Sequence, residues 1–579
     1  MPGESGVSMR AFRILKTLAP GRRVCAPLAI FALGAALAVL ALSCTKPKAP
    51  SEPRTPREIE IPAYLKDTVG ELARFAGREE IPVQGYGFVT GLDGTGTKAM
   101  PPGIRQQILE MMRRNKVDKA EEIITSPDTA VVMVSGWMPP GISRGELFDL
   151  EVRAIPTTDT VSLEGGFLLE CELTRVVSAR GVEQKSEPLA LGRGSIFVSP
   201  FGGEGREAKK ASDPRVGRVL AGGKALKTRH FRLALLTPSV RSADQIVRLV
   251  NARFPGAARG TEDPGRVDLE TPRGFVNAKA HFLDLVGALY LRETPDARDQ
   301  RIGLLIDTLQ TGKDMDRVAL CLEAFGASVG PRLHALAESE SAAVRFYVAR
   351  TLAGLQDAFA VHVLERIVTD DGSEFQEAAA EALGEIHSGV GLGVLGRALN
   401  AKSARVRVAA WQAMARLAPR TFVARHYQNK FTLSVVATRA DPFVYIARTL
   451  KPQIAIFGDA KVLPPVLAET PRVTATAVAG AEKVRLISRR HGQDLHIEAP
   501  LDLKGLVEKM ASPLPAEETP KVPPVEGLDL AYGDVVGLIH EMSRKHALSA
   551  PVMLQPLGIK VMGDRPVARP ITTEAEAPK

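Results

Sequence analysis

Val83-Gln84-Gly85-Tyr86-Gly87-Phe88-Val89-Thr90-Gly91-Leu92-Asp93-Gly94-Thr95-Gly96 runs as an extended, β-prone stretch for eight positions and then breaks into closely spaced glycines. That pattern predicts a strand entering tight turns, because glycine tolerates positive φ and lets another backbone approach closely. Two nucleotide-binding patterns compete for these residues and neither fits. A phosphate loop requires Gly-Lys-Ser/Thr, but Thr97 separates Gly96 from Lys98, and Gly85, Gly87 and Gly91 miss G-x-G-x-x-G by one residue. Outward from this stretch the pattern is mixed. Ala63 to Phe75 and Pro102 to Asn115 predict helices. TAVVMVSGWM (Thr129 to Met138), FDLEVRAI (Phe148 to Ile155) and GFLLECELTRVV (Gly166 to Val177) predict strands bounded by Pro, Gly and Ser.

The glycine stretch resembles the signature of flagellar P-ring proteins, in which V-x-G-Y-G-x-V-x-G-L runs into a G-T-G turn. A second block follows in the same order: Val131 to Val134, Met138-Pro139-Pro140, Gly145, Phe148 to Val152, and Ser162-Leu163-Glu164-Gly165-Gly166. It is similar to that family's V-M-V…L-P-P…G…I-D-V…S-L-x-G-G. Gly217 to Leu220 and a helix from Ser242 to Phe254 continue the likeness. The resemblance implies structural turns at Gly85, Tyr86, Gly87, Gly91, Asp93, Gly94 and Gly96. It implies a second set at Pro139, Pro140, Gly145, Asp149, Gly165 and Gly166, all in rigid places where neighbouring subunits would pack.

Past Pro295 the composition changes to Ala, Leu, Val and Arg. VRFYVARTLAGL (Val344 to Leu355), FQEAAAEALGEI (Phe375 to Ile386) and VRVAAWQAMARL (Val406 to Leu417) recur every 31 residues, so Leu352, Leu383 and Met414 superpose. Second helices around Val363 and Val394 keep the spacing, and a degenerate copy lies near Val318 to Phe325. This resembles HEAT repeats, two-helix units that bury their apolar faces only by stacking. Arg345, Arg350, Arg366, Arg397 and Arg416 are read as solvated faces or repeat-to-repeat ion pairs. The solenoid is expected to fold as an autonomous arm projecting from a permissive loop. After it the P-ring likeness returns at Gln453 to Pro465, Leu503 to Met510 and Leu528 to Leu554.

The chain opens on a basic segment, and Val24 to Ser43 contains no charge, which reads as an export signal. Leu40-Ala41-Leu42-Ser43-Cys44 resembles the lipobox of bacterial lipoproteins, so Cys44 is the expected lipidation site; an uncleaved anchor and a conventionally cleaved signal are the alternatives. Thr45 stands where an inner-membrane retention signal has Asp, which favours the outer membrane. The formal net charge of +9 drops to about +5 without the leader's five cations and Glu4, too little for nucleic acid without a basic cluster. Of four cysteines, Cys171 and Cys321 remain in the folded part, and no CxxC pair supports a metal. They are expected to be buried free thiols in different domains, with a disulfide between them as the alternative that an oxidising compartment would suit. His540-Glu541 and His546 miss the zinc-helix spacing, and Cys171 lacks a nearby His, so no catalytic, cofactor-binding or metal residue is assigned.

The expected organisation is a signal peptide over 1–43, a Pro-rich tether over 44–58, a P-ring-like α+β domain over 59–294 and HEAT-like repeats over 295–420. A C-terminal P-ring-like α+β segment over 421–555, with a Pro-rich linker at 512–526, precedes a disordered tail over 556–579. The fold class is thus α+β multidomain, P-ring-like mixed α/β domains interrupted by an all-α HEAT-like solenoid. The resemblance implies a non-enzymatic subunit of the flagellar basal body, forming a periplasmic ring around the distal rod and supporting motility. Implied partners are further copies of itself, flagellar rod and outer-membrane ring proteins, a protein partner for the repeats, and the outer membrane through the lipid anchor; cofactors and nucleic acid are not expected. The alternative is a non-flagellar envelope lipoprotein scaffold that binds a protein through its repeats.

Overall fold

The computed structural model of the chain describes residues 62–97, 102–114, 118, 120–179, 182–185, 187–201, 213–291, 294–428, 430–490, 493–514 and 527–556. The leader, Cys44 and the tether, Lys209-Lys210, most of the Pro-rich linker and the tail lie outside these residues. The predicted helix over Ala63 to Phe75 is instead a 3-10 turn at Ala63–Leu65, one helical turn α1 (Val69–Leu72) and strand β1 (Ala73–Ala76). Asp67, at φ 61, breaks the helix, and its last three predicted residues, together with Ala76, pair in a sheet instead.

Strand β2 (Ile81–Thr90) follows, then helices α2 (Pro102–Arg114) and α3 (Ala120–Ile124). Next come β3 (Ala130–Met138), β4 (Leu147–Ala154) and β5 (Phe167–Leu173). The stretch predicted as one strand to Val177 divides, because β6 (Val176–Ala179) turns away to form a hairpin with β7 (Val182–Lys185). Strands β8 (Ala190–Ser195) and β9 (Val216–Ala225) complete a closed barrel in the order β2-β3-β4-β9-β8-β5. Its interior is filled by Val83, Val89, Val132, Val134, Leu150, Val152, Leu168 and Cys171. So small a barrel has no room for a side chain at every inward position. A Cβ on Gly87 would lie 2.6 Å from Leu168 Cδ1 and 2.9 Å from Val134 Cγ2, so the motif glycine is a packing requirement. On the outside, Ile108, Met112 and Ile124 of α2 and α3 cover Phe88 and Val131.

Beyond the barrel, β10 (Phe231–Leu235), α4 (Val240–Arg253), β11 (Ala258–Gly260), β12 (Arg266–Leu269) and α5 (Lys279–Gly287) form a second unit. Its antiparallel sheet runs β1-β10-β12-β11. Leu233, Val267, Ile246, Val250, Phe282 and Leu285 share its core.

Eight helices then stack: α6 (Pro295–Gln310), α7 (Met315–Ala324), α8 (Gly330–Leu336), α9 (Ala342–Gly354), α10 (Phe359–Thr369), α11 (Gln376–Leu383), α12 (Leu392–Ala398) and α13 (Ala404–Leu417). Leu352, Leu383 and Met414, superposed in the repeat, are all buried. Ion pairs link successive repeats: Arg332 to Asp299 at 2.8 Å, Arg350 to Asp316 at 2.9 Å, Arg366 to Glu338 at 2.8 Å, and Arg397 to Glu365. Arg345 instead donates to the Ser339 and Glu340 carbonyls beside its own helix.

The C-terminal module contains β13 (Val423–Tyr427), β14 (Phe431–Val436), β15 (Phe443–Ile446) and β16 (Gln453–Phe457), then β17 (Val466–Glu469), β18 (Val473–Ala477), β19 (Lys483–Arg490) and β20 (Gln493–Pro500). Helices α14 (Leu503–Ala511) and α15 (Tyr532–Arg544) and strand β21 (Val552–Leu554) close it. One sheet runs β13-β14-β16-β15-β21 and the other β17-β18-β19-β20.

The solenoid is not a laterally projecting arm. At one end Tyr290 stacks on Phe325 with centroids 5.0 Å apart, and His281 meets Glu323 at 2.8 Å in a buried contact. At the other end Trp411 packs edge-on against Tyr445 and Phe457 at 5.9 and 5.8 Å. A single apolar core runs from Leu233 through the repeats to Phe443 and Phe457. End repeats without a polar outer face need cover, and the flanking modules supply it.

Candidate functional site

Between β17 and β18 the chain reads Glu469-Thr470-Pro471-Arg472-Val473. Thr470 Oγ1 donates to the Val473 carbonyl at 2.9 Å and accepts from the Val473 N–H at 3.1 Å, which fixes a tight turn and projects Arg472 from it. Its guanidinium enters the rim of the barrel. There Nη2 donates to the Gly91 carbonyl at 2.8 Å and to Asp93 Oδ2 at 2.5 Å, and Nη1 to the Gly165 carbonyl at 3.3 Å. Gly165 has φ +71, and a Cβ there would lie 2.0 Å from Arg472 Nη1, so only glycine leaves space for the guanidinium. Beside it, burial, and then the charge of Asp534, raises the Glu164 carboxyl above its ordinary range, with Arg472 opposing. Asp534 is itself buried and accepts from the Ala531 N–H at the start of α15.

A second carboxylate docks the same module. Asp149 sits where the β4 to β9 register shifts, and its carboxylate accepts from Ala221 N at 2.7 Å. Both of its oxygens also accept from Leu450 N at 2.9 Å, across 301 residues of sequence. Burial pushes this carboxyl up, against the two backbone donors that favour its charge.

The other motif residues build the rim without touching the C-terminal module in these ways. Gly94 N donates to Asp128 Oδ1 at 2.8 Å, Gly96 N to the Pro127 carbonyl at 2.9 Å, and Gly145 N to the Ala225 carbonyl at 2.8 Å. The Pro139 carbonyl accepts from Arg229 at 3.1 Å, while Pro140 occupies the following turn. Gly166 accepts from Ile196 N at 2.8 Å. A Cβ on Gly85 would lie 2.3 Å from the Glu172 carbonyl, and Tyr86 beside it is 44% exposed on the barrel wall. Cys44 lies outside the described residues.

Turns expected at contacts between neighbouring subunits are therefore, at Gly91, Asp93 and Gly165, occupied by this chain's own Arg472. Sequence reading missed Arg472 and Leu450, since nothing in Thr470-Pro471-Arg472 marks it as the partner of an aspartate 379 residues earlier. Burial pushes the Cys171 thiol up to about 12, far from a thiolate at neutral pH, and both described cysteines are free and buried. His540 packs edge-on against Phe201 at 4.8 Å. Among the described residues no group of three or more His, Cys, Asp or Glu could hold a metal ion, and no helix is long and apolar enough to cross a membrane.

The family model described as flagellar P-ring protein matches residues 68–306, and one described as HEAT repeats matches 329–415. A flagellar P-ring protein of a Bradyrhizobium species is 30% identical over 277 residues, which are 46% of this chain and 70% of that protein. The chain belongs to the flagellar P-ring protein family. The P-ring proteins of Caulobacter vibrioides and Geobacter metallireducens are 29% and 30% identical over 38% and 40% of this chain, which spans only 59% and 62% of their lengths. The P-ring family match continues beyond the expected limit near Leu291 into α6, and the likeness at Gln453 to Pro465 lies outside it.

Proposed function

We propose that this chain is a structural subunit of the flagellar basal-body P-ring, forming a periplasmic ring around the distal rod and supporting motility through shape and assembly rather than chemistry. The observation that carries the reading is the rigid docking of the C-terminal module on family-motif turns through Arg472 and Asp149. A ring closes through heterologous contacts only if each subunit holds a constant angle between its two contacting faces. A chain whose halves are pinned at two separated points meets that requirement. Its partners in this reading are further copies of itself and the rod and outer-membrane ring proteins, with Cys44 acylated and held in the outer membrane.

The test is complementation. A strain lacking the gene should regain swimming and intact basal bodies with the native chain, and lose both with Arg472→Glu at matched protein level. Motile cells with normal basal bodies in the absence of the gene would overturn the proposal. Separately, Cys44→Ala should abolish palmitate labelling. The solenoid favours the second reading, an envelope scaffold that binds a protein through its repeats, because it adds a stacked helical surface matching a separate family. Intact motility together with loss of a repeat-bound partner would select it.

A further inference from the structure

The sheet β13-β14-β16-β15-β21 carries an open edge at β13. Its middle strands are covered on both faces, by Trp411 of α13 against Tyr445 and Phe457, and by α14 and α15 on the side of Ile446 and Ile456. Among the described residues β13 pairs only with β14, and Val423 to His426 are all exposed. No backbone bond of Val423 to His426 beyond that pairing occurs among the described residues, so every second residue presents an N–H and a carbonyl outward. Both polar side chains of the edge are held on the module itself: Arg425 turns to Glu508 at 3.6 Å, and His426 Nδ1 meets Thr432 Oγ1 at 2.9 Å across the hairpin. Val423 is 69% exposed on the face that carries buried Tyr427, so the core built by Tyr427 and Phe431 stops short at this edge. The edges at β17, β11 and β20 are guarded instead. The Leu467 carbonyl of β17 accepts from Lys545 Nζ at 2.6 Å, Ala258 of β11 exchanges both backbone groups with the Asn251 side chain, and β20 carries exposed Asp494, His496 and Glu498.

We propose that β13 accepts, as an added strand, Ile559 to Met562 from the tail of a second copy of this chain. The described residues end at Pro556, just past β21 at the opposite edge of the same sheet. The sequence there reads Leu557-Gly558-Ile559-Lys560-Val561-Met562-Gly563, a short alternation bounded by glycines that sets Ile559 and Val561 on one face, to lie beside Val423. The tail cannot reach the β13 edge of its own chain. Gln555 is pinned, its N–H donating to the Ile446 carbonyl at 2.9 Å and its side chain accepting from Arg448 N at 2.8 Å. From Gln555 to Ile559 the chain spans at most about 14 Å, whereas a strand outside β13 lies five strand spacings from β21, about 24 Å. Donor and acceptor are therefore different copies, and the contact is head-to-tail, as a closed ring requires. The proposal rests on the ring reading above and names one of its contacts.

The test uses the exported, full-length protein. Chains carrying Val423→Cys or Val561→Cys are mixed and treated with a short bis-maleimide, with the native chain as the blank. Cys171 and Cys321 are buried, so they do not compete for the reagent. A covalent dimer should form only in the mixture, its linked peptides joining position 423 to 561, and a doubly substituted chain should give a ladder of multimers. Deleting residues 557–579 should raise the concentration at half-assembly by at least about tenfold while the melting temperature of the fold stays unchanged, because a few backbone hydrogen bonds and two aliphatic contacts are lost. Oligomers that form without the 423–561 link, or that assemble unchanged after the deletion, sink the tail contact and leave the ring reading standing. A link closed within one chain assigns the tail to its own sheet and overturns the proposal. A native chain that stays monomeric even when rod proteins are supplied overturns the ring reading beneath it.

Discussion

Removal of the Arg472 side chain should loosen the C-terminal module from the barrel by an amount the contacts allow to be bounded. The side chain is 11% exposed and makes three hydrogen bonds, one of them to an aspartate that is 26% exposed. Bonds to charged groups contribute roughly 1.5–3 kcal/mol each, but water can reach Asp93 and the freed carbonyls, so Arg472→Ala should cost about 2–4 kcal/mol. Gly165→Ala should cost as much by another route. Its Cβ would occupy the position of Nη1 and expel the guanidinium, and the positive φ adds about 1 kcal/mol of strain. In the Arg472→Ala background only that strain remains, so the two substitutions should be strongly non-additive, by about 2 kcal/mol or more. Urea unfolding measures this through two tryptophans, Trp137 in the barrel and Trp411 at the junction of the solenoid and the C-terminal module, each isolated by converting the other to Phe. The native chain should show coincident transitions and both variants separated ones. An equal cost for Gly165→Ala with and without Arg472 would refute the proposed role of the guanidinium.

The continuous core makes the solenoid indispensable to its neighbours, so replacing 295–419 with a Gly-Ser linker should expose Tyr290 and Phe457 and bring rapid proteolysis of the flanking modules; a cooperatively melting deletion protein would restore the autonomous arm. Trp411→Ala should cost about 3–5 kcal/mol, read as a lowered urea midpoint, because the indole is 2% exposed between two rings. Burial holds the Glu164 and Asp149 carboxyls above their ordinary 4.5 and 3.8, so the folded chain keeps protons that the unfolded chain releases. Stability should therefore fall as pH rises from that range through the raised values, and Glu164→Gln should flatten the fall in melting temperature; superimposable profiles would contradict it. Both buried thiols are pushed up to about 12, so a thiol reagent at pH near 8 should leave Cys171 and Cys321 untouched until urea unfolds the chain.

The sequence by itself determined what depends on neighbours along the chain. The 31-residue register placed Leu352, Leu383 and Met414 in one buried stack, and the strands at Ala130–Met138 and Leu147–Ala154 follow from local β-prone composition. The glycine stretch likewise pointed to a strand and turns, because a missing Cβ constrains backbone geometry wherever the chain folds. Tertiary structure decided whatever needed a partner far away. Ala73 to Phe75 reads as the end of a helix until Leu235, 162 residues after Ala73, offers a strand to pair with. Nothing in the local sequence singles out Arg472, whose role exists only where the carbonyls of Gly91 and Gly165 surround it. The solenoid reads as separate because its apolar repeat is internally complete, yet its two ends carry uncapped apolar faces. Burying those faces lowers the free energy more than exposing them to water, so one core runs through three modules.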